Sequence, residues 1–307
     1  MALERTTGLS ELAGFGFINL DIALKNHDEL TALIGAKSES VLELVSKSQN
    51  PDQALELLLR LYRSHPGELK TFATKSEALG RLCLILGAST ALHEFLDRHI
   101  DQLQLLEQSQ QLQTEGDHTK ALLSKTDSVT EIRVSYRTQL MKIASFDLEQ
   151  IDPVAGVGLV AASLADLAGA TLDAGLVLAR KEISSPGNSI SYPVQEVADT
   201  RVAVIGMGKC GARELNYISD VDVIFVAEPS EDVESARALE IATKLVTRMM
   251  RIMDEVGTEP ALWQVDANLR PEGKSGALVR SLDSHLSYYD RWAESWEFQA
   301  LLKARPI

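Results

Sequence analysis

The sequence predicts an α+β fold, a large helical region followed by a smaller domain that mixes strands and helices. Three observations predict it. Up to about residue 183, apolar residues recur at helical spacing in one segment after another. At Ser184 the composition changes to Ser-Ser-Pro-Gly-Asn-Ser-Ile-Ser-Tyr-Pro, ending at Pro193. Beyond it, short β-rich runs are separated by glycine turns, without the regular strand–helix alternation of a doubly wound sheet. The expected organisation is a helical region over 1–183, part of it packing on the domain that follows, then a linker or hairpin loop over 184–200 and a second domain over 201–307.

The helices follow from spacing and start signals. Ala54-Leu55, Leu57-Leu58-Leu59 and Leu61 repeat behind Asn50-Pro51-Asp52, a helix start. Ser76-Glu77 opens a second helix through Leu82 to Leu86, and Ser89 to Leu106 reads as a third, broken near Ile100. Gln108 to His118 is polar and reads as a loop or frayed end. Val129 to Phe146 is amphipathic, with Ile132, Tyr136, Leu140 and Ile143 on one stripe and Arg133 and Arg137 beside it. Asp152-Pro153 starts a long apolar helix, since proline suits a first turn. In the second domain, strands are expected at 201–205, 221–227, 262–268 and 277–279. Helices are expected from about 231 to 255 and from Leu282 to Lys303. Trp292, Trp296 and Phe298 sit on a helical pattern and read as core.

Composition narrows the classes. With 307 residues, 45% hydrophobic and 24% charged, a sizeable core is possible, and length alone suggests two domains. A net charge of −14 argues against a nonspecific nucleic-acid binder. Cys83 and Cys210 are too few for a disulfide framework and fit a reducing cytosol, so a cytoplasmic location is expected. The N-terminus lacks a signal-peptide layout, and no run is expected to reach a membrane span. The most apolar segment, Val154 to Ala179, is broken by Asp166 and Asp173 and reads as a core helix. The chain stops at Arg305-Pro306-Ile307 without a tail, as a piece of a longer protein would. A monomer is the default expectation.

The stretch from Arg201 to Glu228 carries the chemistry. A β-rich run enters Gly206-Met207-Gly208-Lys209-Cys210-Gly211, and a short link leads to Ser219-Asp220-Val221-Asp222 and a second apolar strand. Asp220 and Asp222 are two apart, so on a strand they share a face. Two neighbouring carboxylates repel unless a hard cation sits between them. Taken alone, the four residues also suit a capped turn. A third acid, Asp266, lies in an expected strand that could pair beside them. Three such carboxylates can hold two Mg²⁺ ions for in-line phosphoryl transfer, or Asp266 can activate the nucleophile.

A glycine turn beside a metal site suggests a nucleoside phosphate. Gly206, Gly208 and Lys209 are expected to cradle phosphate oxygens, and Ser219, Arg270 and Lys274 are expected to join them in binding the nucleotide phosphates. Arg270, Lys274 and Arg280 follow. Gly273-Lys274-Ser275-Gly276 could bring backbone N–H groups and an ammonium onto phosphate, although Arg270 and Lys274 could equally be surface charges. The rival reading of the glycine turn is a dinucleotide-binding fingerprint, with Glu228 as the ribose acid. Only nine residues separate Gly211 from Val221, too few for a crossover helix between parallel strands.

These residues resemble a known family. Gly206-x-Gly208-Lys209-x-Gly211-x-x-Glu214-Leu215-Asn216-x-x-Ser219-Asp220-x-Asp222 is similar to the nucleotidyltransferase motif of glutamine-synthetase adenylyltransferases. Val265-Asp266, Leu269-Arg270-Pro271 and Gly273-x-Ser275-Gly276-x-Leu278-Val279 resemble their second signature. Trp296-Glu297, Ala300-Leu301 and Lys303-Ala304-Arg305 are similar to the helix after it. Looser similarity extends upstream through Arg137, Leu140, Ile143-Ala144 and Asp147-Leu148 to Leu86-Gly87-Ala88-Ser89, so it covers most of the chain.

The resemblance implies a polymerase-β-like mixed sheet flanked by helices, cut short at its C-terminal end here. Members carry two such modules. One attaches AMP to a tyrosine of glutamine synthetase, and the N-terminal one removes it by phosphorolysis, releasing ADP. The helical leader and single module here resemble the removing half. Mg²⁺, ATP or ADP, glutamine synthetase and a PII signalling protein are the implied cofactors and partners. Cys210, Ala212 and Asn268 depart from the commonest pattern. Asn268 stands where the residue is often basic, which puts one phosphate contact in doubt, while the three acids are intact. Two other readings stand beside removal: adenylyl transfer from ATP, and a noncatalytic module that responds to nucleotide or PII.

Overall fold

Helix dominates both units into which the chain divides. The structure, a computed structural model, describes residues 8–35, 38–186, 191–228 and 234–307. The chain divides into one unit of residues 1–111 and 141–156 and a second of 112–140 and 157–307. This division differs from the boundary expected at 183. The helical residues 112–140 and 157–183 belong with the sheet, because their polar groups and close-packing glycines meet it, as described below.

In the first unit, α1 (Leu9–Gly14), α2 (Leu20–Ile34), α3 (Ser38–Val45), α4 (Pro51–Ser64), α5 (Pro66–Phe72), α6 (Ser76–Ala88) and α7 (Thr90–Arg98) precede a 3-10 helix over Ile100–Glu107. The expected starts hold. The Asn50 side chain accepts from the Gln53 N–H, and that of Ser89 from Leu92. The break near Ile100 is where the α-helix gives way to the 3-10 helix. The apolar stripe of α4 is buried at Leu55, Leu58, Leu59 and Leu61, and α6 packs on α4. Buried Arg81 donates to the carbonyls of Leu106 (2.7 Å) and Glu107 (3.0 Å), satisfying the end of the 3-10 helix.

In the chain order that follows, α8 is Glu115–Leu123, α9 Val129–Leu148, α10 Pro153–Ile183 and α11 Val194–Asp199. α8 corrects the loop expected over 108–118. Thr114 and Asp117 form a reciprocal capping box that starts a helix within that polar run. α11 likewise lies inside the expected linker, whose residues 187–190 fall outside the described residues. α10 also departs from expectation, since it is long and apolar enough to cross a membrane by length and composition; 61% of its most apolar window is buried.

The sheet has five strands: β1 (Arg201–Gly206), β2 (Val221–Glu228), β3 (Val265–Asp266), β4 (Val279–Arg280) and β5 (Arg305–Pro306). It is mixed. β1 pairs antiparallel with β2 and β5, and β2 pairs parallel with β3 and β4. The antiparallel β1–β2 pair removes the dinucleotide-binding reading, which requires parallel neighbours joined by a crossover. Glu228 instead accepts from the Leu282 N–H at 3.0 Å.

The helix expected from about 231 is α13, Ser235–Asp254, preceded by α12 at Gly208–Gly211; residues 231–233 lie outside the described residues. α13 buries Ile241, Leu245, Val246, Met249, Ile252 and Met253 and packs on the sheet. α10 lies close to α13, as a Cβ at Gly175 would meet the Met249 and Met253 side chains. The single helix expected over 282–303 is two, α14 (Leu282–Arg291) and α15 (Ser295–Leu301), because Glu294 starts a new capping box with Glu297. That break changes the helical phase. Trp292, Trp296 and Phe298, expected in the core, are 74%, 54% and 48% exposed.

Candidate active site

The glycine turn and the carboxylates meet because of the β1–β2 hairpin. β1 ends in register with the start of β2, Gly206 opposite Val223, and the Met207 N–H donates to the Asp222 carbonyl at 2.8 Å. β3 pairs Val221 with Val265 and Asp222 with Asp266, so parallel register sets the third acid beside the first two. Asp220, Asp222 and Asp266 each offer an oxygen, and these oxygens lie within 4.8 Å of one another. Asp220 is exposed and the other two are half-buried. Asp266 Oδ1 accepts from the Asn268 N–H at 2.7 Å, which fixes its carboxylate.

The electrostatics are those of a cation site. Burial pushes the Asp222 carboxyl above its ordinary pKa, and Asp220 and Asp266 push it further, with Lys209 opposing them. Three oxygen donors of hard-ligand type at this spacing fit Mg²⁺.

The phosphate-binding expectations fare unevenly. Gly208 has φ +50°, and a Cβ there would stand 2.6 Å from Asp222 Oδ2, so only glycine lets the turn lie against the carboxylate. Lys209 is exposed on the turn, its Nζ donating to Asn216 Oδ1 at 3.2 Å. Gly206 is a correction. It pairs with Val223 and Arg305 inside the sheet, and a Cβ there would meet the Ile307 side chain at 3.1 Å, so it is a packing glycine. Ser219 is half-buried beside Asp220.

The 270–276 loop is corrected as well. The Gly273, Ser275 and Gly276 N–H groups donate to Arg270, Glu272 and Gly273 carbonyls, so the loop spends them on its own turns. Arg270 donates to the carbonyls of Ala267 (2.8 Å), Gly276 (3.2 Å) and Lys274 (3.2 Å). Its guanidinium braces the loop that follows Asp266 rather than standing open to a substrate. Lys274 is exposed. Arg280 pairs with Glu272. The buried Cys210 thiol is pushed up to about 11, first by burial, and is not a nucleophile at neutral pH.

Sequence reasoning missed two charged residues that support this unit. Arg133 is fully buried and Asp166 is 3% exposed. Their partners lie far along the chain, and the signal for Asp166 was its interruption of an apolar helix.

Gly208→Ala is expected to displace the Asp222 carboxylate. It should weaken divalent-ion affinity about tenfold, equivalent to about 1.4 kcal/mol, and cost about 1–2 kcal/mol of stability through left-handed strain. A Mn²⁺ titration and a thermal melt measure both; unchanged affinity would separate this glycine from the metal site.

Comparison with known proteins agrees with the motif reading. The family model described as glutamate-ammonia ligase adenylyltransferase matches residues 79–307. A bifunctional glutamine synthetase adenylyltransferase/adenylyl-removing enzyme of Leifsonia xyli subsp. xyli is 46% identical over 97% of this chain and 31% of its own length. Proteins of the same description from Streptomyces coelicolor (45% identity, 87% of this chain, 26% of the relative) and Mycobacterium avium (40%, 86% and 26%) are also similar. The chain thus spans about a third or less of these relatives. With a family match over most of its length and relatives up to 46% identical, the chain belongs to the glutamate-ammonia ligase adenylyltransferase family.

Proposed function

We propose that this chain is the adenylyl-removing module of a bifunctional enzyme acting on glutamine synthetase. The observation that carries the reading is the convergence of Asp220, Asp222 and Asp266 beside a glycine turn on a mixed sheet. The resemblance of this chain to the family's N-terminal half supports removal over attachment. The relatives' names supply the substrate protein.

An oxygen of inorganic phosphate attacks the AMP phosphorus, the phosphorus–oxygen bond to tyrosine breaks, and the phenolate oxygen takes up a proton. The products are ADP and free tyrosine. Asp220, Asp222 and Asp266 would hold the metal, the Asp266 carboxylate being fixed by the Asn268 N–H. Mg²⁺, in one or two sites, supplies charge neutralisation and in-line alignment of the phosphoryl group. The Lys209 ammonium contacts phosphate oxygens, and Gly208 allows their close approach. Arg270 holds the loop after Asp266, and the exposed Lys274 lends positive charge. The proposed setting is a monomeric, cytoplasmic module whose parent protein also answers to a PII signalling protein.

The test is incubation of the chain with adenylylated glutamine synthetase, Mg²⁺ and phosphate. ADP release that depends on phosphate supports removal. Pyrophosphate release from ATP with unmodified glutamine synthetase would assign the chain to attachment. Absence of both turnovers would leave a noncatalytic regulatory module and overturn the proposal.

A further inference from the structure

A buried carboxylate in an apolar helix must be paired, since an unpaired one would lose its hydration without return. Asp166 interrupts the most apolar stretch of the chain, on α10, and is 3% exposed. Arg213 Nε donates to Asp166 Oδ1 at 3.0 Å, and Arg213 Nη2 pairs with Oδ2, a two-pronged contact that fixes orientation as well as charge. Arg305 also approaches, with Nη2 3.7 Å from Asp166 Oδ1 and Nε donating to the Gly211 carbonyl at 3.3 Å.

Both arginines bear on the glycine turn. Arg213 closes it, its N–H donating to the Cys210 carbonyl at 3.2 Å, and holds φ +58°, a left-handed conformation that a side chain disfavours. Gly211 admits no side chain, because a Cβ would collide with the Lys303 and Gly206 carbonyl oxygens. Three residues earlier stands Gly208, against the Asp222 carboxylate. A continuous line therefore runs from Asp166 through Arg213 and the turn to the proposed metal site.

We propose that Asp166 is a positioning residue, which acts through Arg213 and Arg305 as an ionic latch that holds the glycine turn in register with Asp222. The latch pulls Arg213 into its strained conformation and so fixes where Gly208 and Lys209 present themselves to a nucleoside phosphate. It rests on the reading of the turn and the three acids as a phosphate and metal site.

The decisive variant is Arg213→Gly, at a half-exposed position. Glycine relieves the left-handed strain, so a merely structural arginine predicts an equal or tighter turn. The latch predicts the opposite. Backbone amides of 207–214 should exchange hydrogen at least about tenfold faster, over and above the change at α13 amides, which report the global loss from leaving Asp166 to Arg305 alone, and affinity for Mg²⁺·ADP should fall about tenfold. Asp166→Asn should give the same local pattern, and Arg213→Lys should restore part of the affinity. Unchanged exchange over 207–214 in Arg213→Gly would overturn the latch. If the unsubstituted chain binds no Mg²⁺·ADP, the phosphate-site reading fails, while the exchange comparison still decides whether Asp166 holds the turn.

Discussion

Asp222→Asn is expected to lower AMP removal by roughly a hundredfold to ten-thousandfold, because it removes a metal ligand and one charge from the centre of the carboxylate cluster. The fold should not suffer. Burial, then Asp220 and Asp266, raise the Asp222 pKa above its value in an unfolded chain. A raised carboxyl favours folding while protonated. Its contribution is complete below the ordinary carboxylate range and is lost as pH rises through the raised pKa. At neutral pH without metal the ionised side chain opposes folding, and asparagine removes that opposition. The variant should melt no lower than the unsubstituted chain in chelator, and should lose less stability than it between acid and neutral pH. Mg²⁺ at a hundredfold excess over its dissociation constant should stabilise the unsubstituted chain by about 2.7 kcal/mol and the variant by little. Near-normal turnover, or an equal Mg²⁺ response in the variant, would remove Asp222 from the site.

The parts of this site legible in the sequence were those whose chemistry is local. A glycine turn, a Ser-Asp-Val-Asp run on a strand, and an acid at the head of another strand are short-range signals, and parallel pairing of β2 with β3 brings them together. The nine-residue link between Gly211 and Val221 also foretold that β1 and β2 could not be a parallel crossover pair. What failed depended on distant partners or on helical phase. The run from Gln108 to His118 reads as a loop because its glutamines carry little periodicity, although the Thr114–Asp117 box starts α8 within it. The aromatics after Tyr289 were placed in the core by extending one helix through Trp292, whereas the chain restarts at Glu294 and turns them outward. Spacing assigns Arg270 to phosphate, whereas carbonyls of its own loop engage it, which no spacing rule reveals.

Arg133→Ala is expected to be the most destabilising single change, costing about 3–5 kcal/mol. Spacing put Arg133 beside the apolar stripe of α9, yet it is 0% exposed. Its guanidinium donates to the Ile252 carbonyl through Nε (3.2 Å) and Nη2 (2.8 Å), to Glu255 through Nη2 (2.8 Å) and to Glu259 through Nη1 (2.8 Å). These carbonyls terminate α13 and line the turn that follows, where a cation also offsets the negative end of the helix. Arg137 continues the clamp onto the Pro260 and Ala261 carbonyls, both at 2.8 Å. Alanine would leave a buried void and several carbonyls without donors, in place of a guanidinium already desolvated and held by them. Lysine keeps the charge but offers no planar fork, so Arg133→Lys should recover only part of the loss, leaving about 1–3 kcal/mol. Denaturant unfolding of the three chains measures the ranking. The clamped segment leads directly to β3, so the folded alanine variant should also bind Mg²⁺ more weakly as Asp266 shifts. A loss under about 1 kcal/mol for Arg133→Ala would mean that water replaces the guanidinium at these carbonyls and that the end of α13 holds itself.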